Sequence, residues 1–464
     1  MLTTPEPLRS GKPETESSWR RCSEVPARVL SILSLTLALV APTLVAAAPP
    51  PQQGMDGMQL EKVVMLLRHG VRSPTQTPQE LSDSSHRPWP DWGIASGELT
   101  VHGAKLIGLL GSYYREYYGQ AGLLADEACP DASRLSVWAD NSTRRIPFSA
   151  QVLVEAMFPG CKDLRTGFQP QTAPDPLFHP VELGTCSIHA RTAEAALLEA
   201  TGGDVNRPMR EEKEALTFMQ SLLKVRPRGV CAGNAPTCGI DGFANVIHST
   251  SKNVTFEGGL KSAATLGENI LLEYVEGFPV DRVGWGEAGN PAAITQLIKP
   301  RNRYLEITRR TPYLASRHGT PLARELLAAL DDVPGVSPKV AQTLPPGTDL
   351  VAIVGRDIHL AIIGGLMGLK WTLPGQPDLH GSGVTLAFER WRHSGNGLHY
   401  VRPVIHYQTL QQMRGAETLT LDHPPGRVAL RFPGCADEEI NGACSLSKVR
   451  SHISAALAED CPSK

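Results

Sequence analysis

The apolar run Val63-Val64-Met65-Leu66-Leu67 stops at Arg68-His69-Gly70-Val71-Arg72-Ser73-Pro74, and this junction limits the possible folds more than any other stretch of the chain. A short apolar run bounded by Gly and Pro predicts a strand buried in a sheet, with a turn at its end. Open α/β sheets bind ligands outside the carboxyl ends of their strands. The strand should therefore present one histidine between two arginines at a ligand-binding edge. Two other runs have the same form: Leu135-Ser136-Val137-Trp138-Ala139 leads into Asp140-Asn141-Ser142-Thr143-Arg144-Arg145, and Leu350-Val351-Ala352-Ile353-Val354 leads into Gly355-Arg356-Asp357. Each of the three strands delivers charged groups at its end.

Helical patterns separate these runs. Leu260 to Glu276 carries Leu260, Ala263, Ala264, Gly267, Leu271 and Tyr274 on one face and stops at Gly277, a favoured helix-ending residue. Thr100 caps a second amphipathic stretch with Leu106, Leu109, Leu110 and Tyr113. Ser142 or Thr143 can cap a third helix that starts near Arg144. Strand runs near both ends with helices between them predict an α/β fold: a mostly parallel central sheet flanked by helices, with an additional α-helical lobe and the site in the cleft between.

The heptad suits phosphoryl chemistry. Imidazole attacks phosphorus only when neutral, and two fixed cations nearby disfavour a third charge on His69, which lowers its pKa. Arg68 and Arg72 can bind equatorial phosphoryl oxygens in bidentate fashion and offset their charge as the P–O bonds rearrange. The structural alternative is a strand-end turn with solvated arginines.

The heptad resembles the signature of the histidine acid phosphatases. From about Leu66 to Cys461 the chain is similar to the bacterial periplasmic acid phosphatases and phytases, the 4-phytase-like branch, with matching blocks at Trp371-Thr372-Leu373-Pro374-Gly375-Gln376-Pro377-Asp378, Phe388-Glu389-Arg390-Trp391 and Gln408-Thr409-Leu410-Gln411-Gln412-Met413. The resemblance implies the phosphoglycerate-mutase-like, or histidine phosphatase, fold. It also implies that His69 is phosphorylated and then hydrolysed. The family's Ala-Asp-x-x-x-Arg motif falls on Ala139 to Arg144, which implies Arg144 as the third phosphate-binding arginine; Arg145, where the family usually has threonine, reads as a surface residue. At the third strand the family has His-Asp. Asp357 is retained as the implied proton donor, but Arg356 stands where the histidine should be. Arg356 can still bind the phosphoryl group, although it is longer and never titrates. A permanent cation there should lower the pKa of Asp357 and so give an acid-shifted optimum or reduced turnover. His359 reads as structural.

The amino terminus fits an exported protein. Val29 to Val45 is almost uninterrupted apolar and small residues, preceded by Arg20, Arg21 and Arg28 and followed by Ala46-Ala47-Ala48-Pro49. Residues 1–47 are expected to be a signal peptide or anchor, 48–56 a tether, and 57–464 the phosphatase domain, with α/β core near 57–185 and 310–464 and helical lobe near 187–305. The expected location is periplasmic, or secreted. Beyond Cys22, eight cysteines remain, an even number that argues for disulfides in a secreted chain. Spacing alone cannot choose among their pairings; the family pattern implies Cys129–Cys161, Cys186–Cys461, Cys231–Cys238 and Cys435–Cys444.

No HExxH and no CxxC pair occurs, so neither metal nor other cofactor is expected. A formal net charge of −2 draws in no polyanion, and no basic stripe supports nucleic-acid binding. The expected partner is a small phosphomonoester, with phytate a candidate, acting on a monomer without stable membrane association after signal cleavage. Thr75 and Glu268 are candidate substrate contacts. Gln76 stands where phytase-like members have a basic residue, which weakens the case for a highly phosphorylated substrate. Lys299, Arg301, Arg303, Arg309 and Arg310 cluster around a helical segment ended by Pro312, and a solvated helix face is the default reading. Two alternatives stay open: a catalytically weak or inactive phosphate-binding relative, because of Arg356, and glucose-1-phosphatase-like specificity. A cytosolic mutase-like enzyme would have little use for an export segment and paired cysteines.

Overall fold

The computed structural model describes residues 55–461 apart from 86, 125–128, 163, 165, 170–173, 226–230, 232–237, 251–252 and 336–343. The expected signal peptide and most of the tether lie outside the described residues, which all belong to one compact unit beginning at Ala47.

Among the described residues eleven strands are formed: β1 Met58–Arg68, β2 Leu135–Ala139, β3 Thr166–Phe168, β4 Val246–Ser249, β5 Val254–Glu257, β6 Leu350–Gly355, β7 Thr385–His393, β8 His399–Tyr407, β9 Gly426–Ala429, β10 Glu439–Ile440 and β11 Ala443–Ser445. Nine make one sheet in the order β10-β11-β8-β7-β1-β6-β2-β3, with β9 also on β8, while β4 and β5 form a separate hairpin. Pairing is parallel from β1 through β6 and β2 to β3, and antiparallel from β1 through β7 and β8 outward. The parallel half carries the three strands read from sequence. In the antiparallel half, β7 and β8 are joined by a short turn, which antiparallel pairing allows.

Six helices bear on the site: α1 Val101–Gln120, α2 Arg145–Met157, α3 Gly259–Val275, α4 Pro291–Arg309, α5 Pro312–Asp331 and α6 Asp357–Leu366. The sheet is covered on both faces, as strand alternation requires. Val63, Met65 and Leu67 join Val137, Leu350, Ala352 and Val354 under Ile107, Tyr114, Ile146 and Leu153 of α1 and α2. Val64 and Leu66 join Trp138, Val351 and Ile353 under Leu322, Leu326, Leu360 and Ile363 of α5 and α6. A third core unites α3 and α4 through Leu260, Ile270, Ile294 and Leu297, with Phe256 of the hairpin. Truncating one of these fully buried side chains, Leu66→Ala for instance, should cost about 2–5 kcal/mol.

Local signals fared unevenly. Thr100 caps α1 by accepting from the Gly103 N–H at 2.8 Å, and α3 ends beside Gly277, whose φ is +88°. The expected cap at Ser142 or Thr143 is not used: α2 starts at Arg145 with Arg144 as its N-cap and no side-chain cap bond. Ser142 instead donates its N–H and hydroxyl to Asp140, both at 2.9 Å. All eight late cysteines pair, as Cys129–Cys161, Cys186–Cys461, Cys231–Cys238 and Cys435–Cys444. Among the described residues no helix is long and apolar enough to cross a membrane.

Candidate active site

The order β1-β6-β2 places three strand ends side by side, with Arg68 opposite Gly355 and Ala139 opposite Val354. The heptad turn is then clamped by α1. A Cβ on Gly70 would lie 2.6 Å from the Gly103 carbonyl, and one on Gly103 only 2.1 Å from the carbonyl of Val71. Both positions demand glycine because backbone meets backbone there. The Gly70 N–H donates to Ser149 Oγ of α2 at 3.2 Å, so helices from two parts of the chain hold the histidine loop.

His69 is buried, and its two ring nitrogens are distinguished by their partners. Nδ1 lies 2.8 Å from the Gly70 carbonyl, which can only accept, so Nδ1 carries the proton. Nε2 accepts from Arg145 Nε at 3.1 Å and therefore holds its lone pair toward the site. Burial, then Arg145, Arg68 and Arg72, hold the imidazole well below its ordinary pKa. The neutral state needed for attack on phosphorus persists into acid.

Around it the charges interlock. Glu268 of α3 accepts from Arg68 Nη2 at 2.6 Å through Oε1 and from Arg72 Nη2 at 3.1 Å through Oε2. Arg301 of α4 lies 3.2 Å from Glu268 Oε1, donates to Asp357 Oδ2 at 2.6 Å, and donates to Asp378 Oδ2 at 3.2 Å. Asp378 also receives Arg68 at 3.3 Å, while the His380 carbonyl accepts from Arg68 at 2.7 Å. Burial opposes ionisation of Glu268, but Arg301, Arg72 and Arg68 outweigh it and hold its carboxyl at about 2. Burial likewise pushes Asp357 up, yet Arg68, Arg301 and finally Arg356 hold it well below the usual carboxylate range. A carboxylate bridging two guanidiniums occupies the fork that a phosphoryl group would use.

Of the residues singled out from sequence, the structure gathers His69, Arg68, Arg72, Glu268 and Asp357. Arg356 is the N-cap of α6, with Nε 3.6 Å from Asp140 Oδ2 and a side chain 27% exposed. The fully buried Asp140 is also 3.1 Å from His179 Nε2. His359 accepts the Arg356 backbone N–H at 3.1 Å through Nδ1 and packs on Phe178, a structural role. Thr75 is exposed, and the neighbouring Gln76 accepts from Asn269 at 3.4 Å.

The surface reading of Arg145 is corrected by the structure. Arg144 ends with an exposed side chain, and the guanidinium that reaches His69 belongs to Arg145, the first residue of α2. Successive residues at a helix start point about 100° apart, so a one-residue difference decides which arginine faces inward. Arg301 corrects a second reading: it is 5% exposed in the middle of the site, not on a solvated face. Its signal was available in the period, since Ile294, Leu297, Ile298, Arg301 and Leu305 share the buried face of α4. Asp378 closes one of the sequence blocks that carry the family resemblance, but nothing local in the sequence marked it as a site residue. Among the described residues no group of three His, Cys, Asp or Glu side chains is disposed to hold a metal ion.

Beside Gln76 and Thr265, one turn of α3 from Glu268, opens a cavity of ≈ 610 Å³ whose walls include Leu81, Phe243, His248 and Lys261. None of the charged residues of the cluster lines that cavity; a lone-pair nitrogen beside a guanidinium fork is itself able to accept a phosphate ester.

Comparison with known proteins agrees with this chemistry. Residues 59–228 match the family model for the histidine phosphatase superfamily, branch 2. The chain is 32% identical to the phytase AppA of Escherichia coli over 429 residues, 91% of this chain and 96% of that protein. It is 30% identical to the glucose-1-phosphatase of Providencia rettgeri, covering 92% of this chain and 98% of that one. The structure of Hafnia alvei phytase in complex with tartrate superposes with a TM-score of 0.78 at 33% identity, covering 89% of this chain and 99% of the other. The chain therefore belongs to branch 2 of the histidine phosphatase superfamily, the histidine acid phosphatases, and is a phosphoric monoester hydrolase.

Proposed function

We propose that this protein is an exported, periplasmic or secreted, acid phosphatase that hydrolyses phosphomonoesters through a phosphohistidine on His69. The observation that carries the reading is the tautomer of His69, whose proton is committed to the Gly70 carbonyl and whose Nε2 lone pair faces the guanidinium cluster. The ester's phosphoryl group displaces Glu268 from Arg68 and Arg72, and Arg356 approaches from the neighbouring strand end. Nε2 forms the N–P bond as the ester P–O bond breaks, and Asp357 gives its proton to the departing alkoxide. Water then attacks phosphorus, its proton goes to the Asp357 carboxylate, and the P–N bond breaks to release inorganic phosphate. A bound dianion offsets the charge of Arg68 and its neighbours, which raises the proton affinity of Asp357 when the donor is needed.

Phytate and glucose 1-phosphate are the substrates suggested by the relatives' names. Thr75 at the rim and Glu268 are the proposed substrate contacts. The neutral Gln76 favours the second reading, a preference for sugar monophosphates over a polyanion. Steady-state rates on both esters, from strongly acid to neutral pH, separate the two. Mixing with labelled phosphomonoester and quenching should trap a phosphoenzyme labile in acid and stable in base, absent in His69→Ala; full turnover by that variant would end the proposal.

A further inference from the structure

The main-chain carbonyls of Arg68 and His69 leave the sheet where β1 stops pairing with β7, since Leu67 opposite Thr385 is the last pair. One donor catches both: the Gly383 N–H, 3.3 Å from each. The Gly383 carbonyl in turn accepts from Thr385 Oγ1 at 3.1 Å, and Thr385 Oγ1 accepts from the Tyr114 hydroxyl of α1 at 2.8 Å. A line of hydrogen bonds thus runs from the middle of α1 to the backbone that carries the reactive imidazole. Thr385 and Tyr114 are fully buried, and Tyr114 packs in the core with Ile107, Leu110 and Ala387. Polar groups in such surroundings cost free energy unless each finds a partner. Tyr114 has found one, whereas the hydroxyls of Tyr117 and Tyr118 on the same helix have no hydrogen-bond partner among the described residues. The peptide between His69 and Gly70 is consequently pinned at both ends, its carbonyl by Gly383 and its N–H by Ser149 Oγ at 3.2 Å. Rotation of that peptide would swing the ring, because Nδ1 is tied to the next carbonyl, that of Gly70.

We propose that Thr385 is a positioning residue for His69: its hydroxyl, oriented by Tyr114, fixes the Gly383 peptide and through it the His69–Gly70 peptide that aims Nε2 at phosphorus. This rests on the reading of His69 as nucleophile. Thr385 touches no reacting atom and acts on geometry alone. A donor on the Gly383 carbonyl also polarises that peptide's surroundings, so the chain of bonds is stronger than its members taken singly. α1 therefore holds the histidine loop twice, at Gly103 by backbone contact with Val71 and further along through Tyr114.

The test compares Thr385→Val, Thr385→Ser and Tyr114→Phe in the full chain, by turnover of p-nitrophenyl phosphate, rate of phosphoenzyme formation, binding of inorganic phosphate and thermal scans. Misplacing a reacting group by about 1 Å costs on the order of 10²-fold in rate, and the displacement here is smaller. Thr385→Val should therefore lose about 10-fold in kcat and in phosphoenzyme formation, with phosphate affinity within about 2-fold of the parent. Thr385→Ser keeps the hydroxyl and should recover most of the rate. Tyr114→Phe should lose about 3-fold, since Thr385 can still donate to Gly383, and the double variant should be no slower than Thr385→Val alone. A Thr385→Val protein with a lower Tm but parent kcat, or one whose phosphate affinity falls as far as its kcat, overturns the proposal. If Thr385→Val does not fold, Tyr114→Phe decides: a parent rate of phosphoenzyme formation overturns the proposal. The ring nitrogen resonances of His69, identified by their loss in His69→Ala, report the imidazole without turnover. They should move in Thr385→Val and return in Thr385→Ser; parent-like resonances in Thr385→Val overturn the proposal. Full turnover by His69→Ala would instead sink the nucleophile reading and leave this measurement standing.

Discussion

Arg301→Met should destabilise the enzyme and at the same time move its pH–rate profile toward neutrality. Arg301 is 5% exposed and bonds three carboxylates. Glu268 keeps Arg68 and Arg72 in the variant, and Asp378 keeps Arg68, but the 2.6 Å contact of Arg301 is the one side-chain hydrogen bond that Asp357 receives among the described residues. Breaking a buried pair from one side costs about 3–5 kcal/mol, and the surviving partners argue for the lower figure. With an unfolding entropy of about 2.1 cal/mol/K per residue over roughly 400 residues, 3 kcal/mol lowers Tm by about 4 °C. Glu268 and Asp357 have depressed folded values, so their pairing stabilises the fold above the unfolded carboxyl pKa. That contribution is lost as pH falls through the folded values, about 2 for Glu268, so the Tm difference should shrink in strong acid. Removing Arg301 also raises the proton affinity of Asp357, which, with Asp357 as the proposed proton donor, should extend the alkaline limb of kcat/KM upward. Thermal scans at pH 7 and in strong acid, with a pH–rate profile, check both. Equal Tm values at pH 7, or an alkaline limb that stays put, would refute the account of Arg301 as a counter-ion of the proposed proton donor.

Glu268→Gln should bind inorganic phosphate several-fold more tightly, measured as product inhibition, because the anion no longer displaces a carboxylate from Arg68 and Arg72; weaker binding would show that Glu268 does not occupy the phosphate fork. Arg356→Gln should extend the alkaline limb less than Arg301→Met, since Arg356 lowers Asp357 less than Arg301 does; the reverse order would contradict that ranking. Opening the Cys186–Cys461 bridge with serines releases a 275-residue separation. It should cost up to ~5 kcal/mol, visible as a lower denaturation midpoint without a matching change in KM.

Strands were legible because burial on both faces leaves a continuous apolar run, and the three short runs at Val63, Leu135 and Leu350 all lie in the parallel half of the sheet. The heptad was legible because its members are local. Contacts made across the chain were not. Nothing near Arg301 in sequence announces Asp357 or Asp378, respectively 56 and 77 positions away. A basic run that looked uniform divides once α4 is built: Arg301 shares a face with Leu297 and Leu305, while Arg303 turns outward to Glu211 at 2.9 Å. Motif spacing could not separate Arg144 from Arg145, because the rotation at the first turn of α2 is set by Gly70 bonding Ser149 and by helix packing far from the motif.

Charge shows most clearly why local structure had to be added. The chain carries a formal net charge of −2, which predicts no attraction for anions. At the three strand ends, however, five guanidiniums meet four carboxylates, Asp140, Glu268, Asp357 and Asp378, and one positive charge is left over. A phosphate dianion therefore enters a site short of negative charge, in surroundings of low dielectric where that shortfall acts most strongly. Burial first, and then the same cations, keep His69 uncharged, while the cations hold Asp357 ionised against burial. On the proposed mechanism, substrate binding and protonation of Asp357 are one linked event, so variants that neutralise a site arginine should change affinity and pH dependence together.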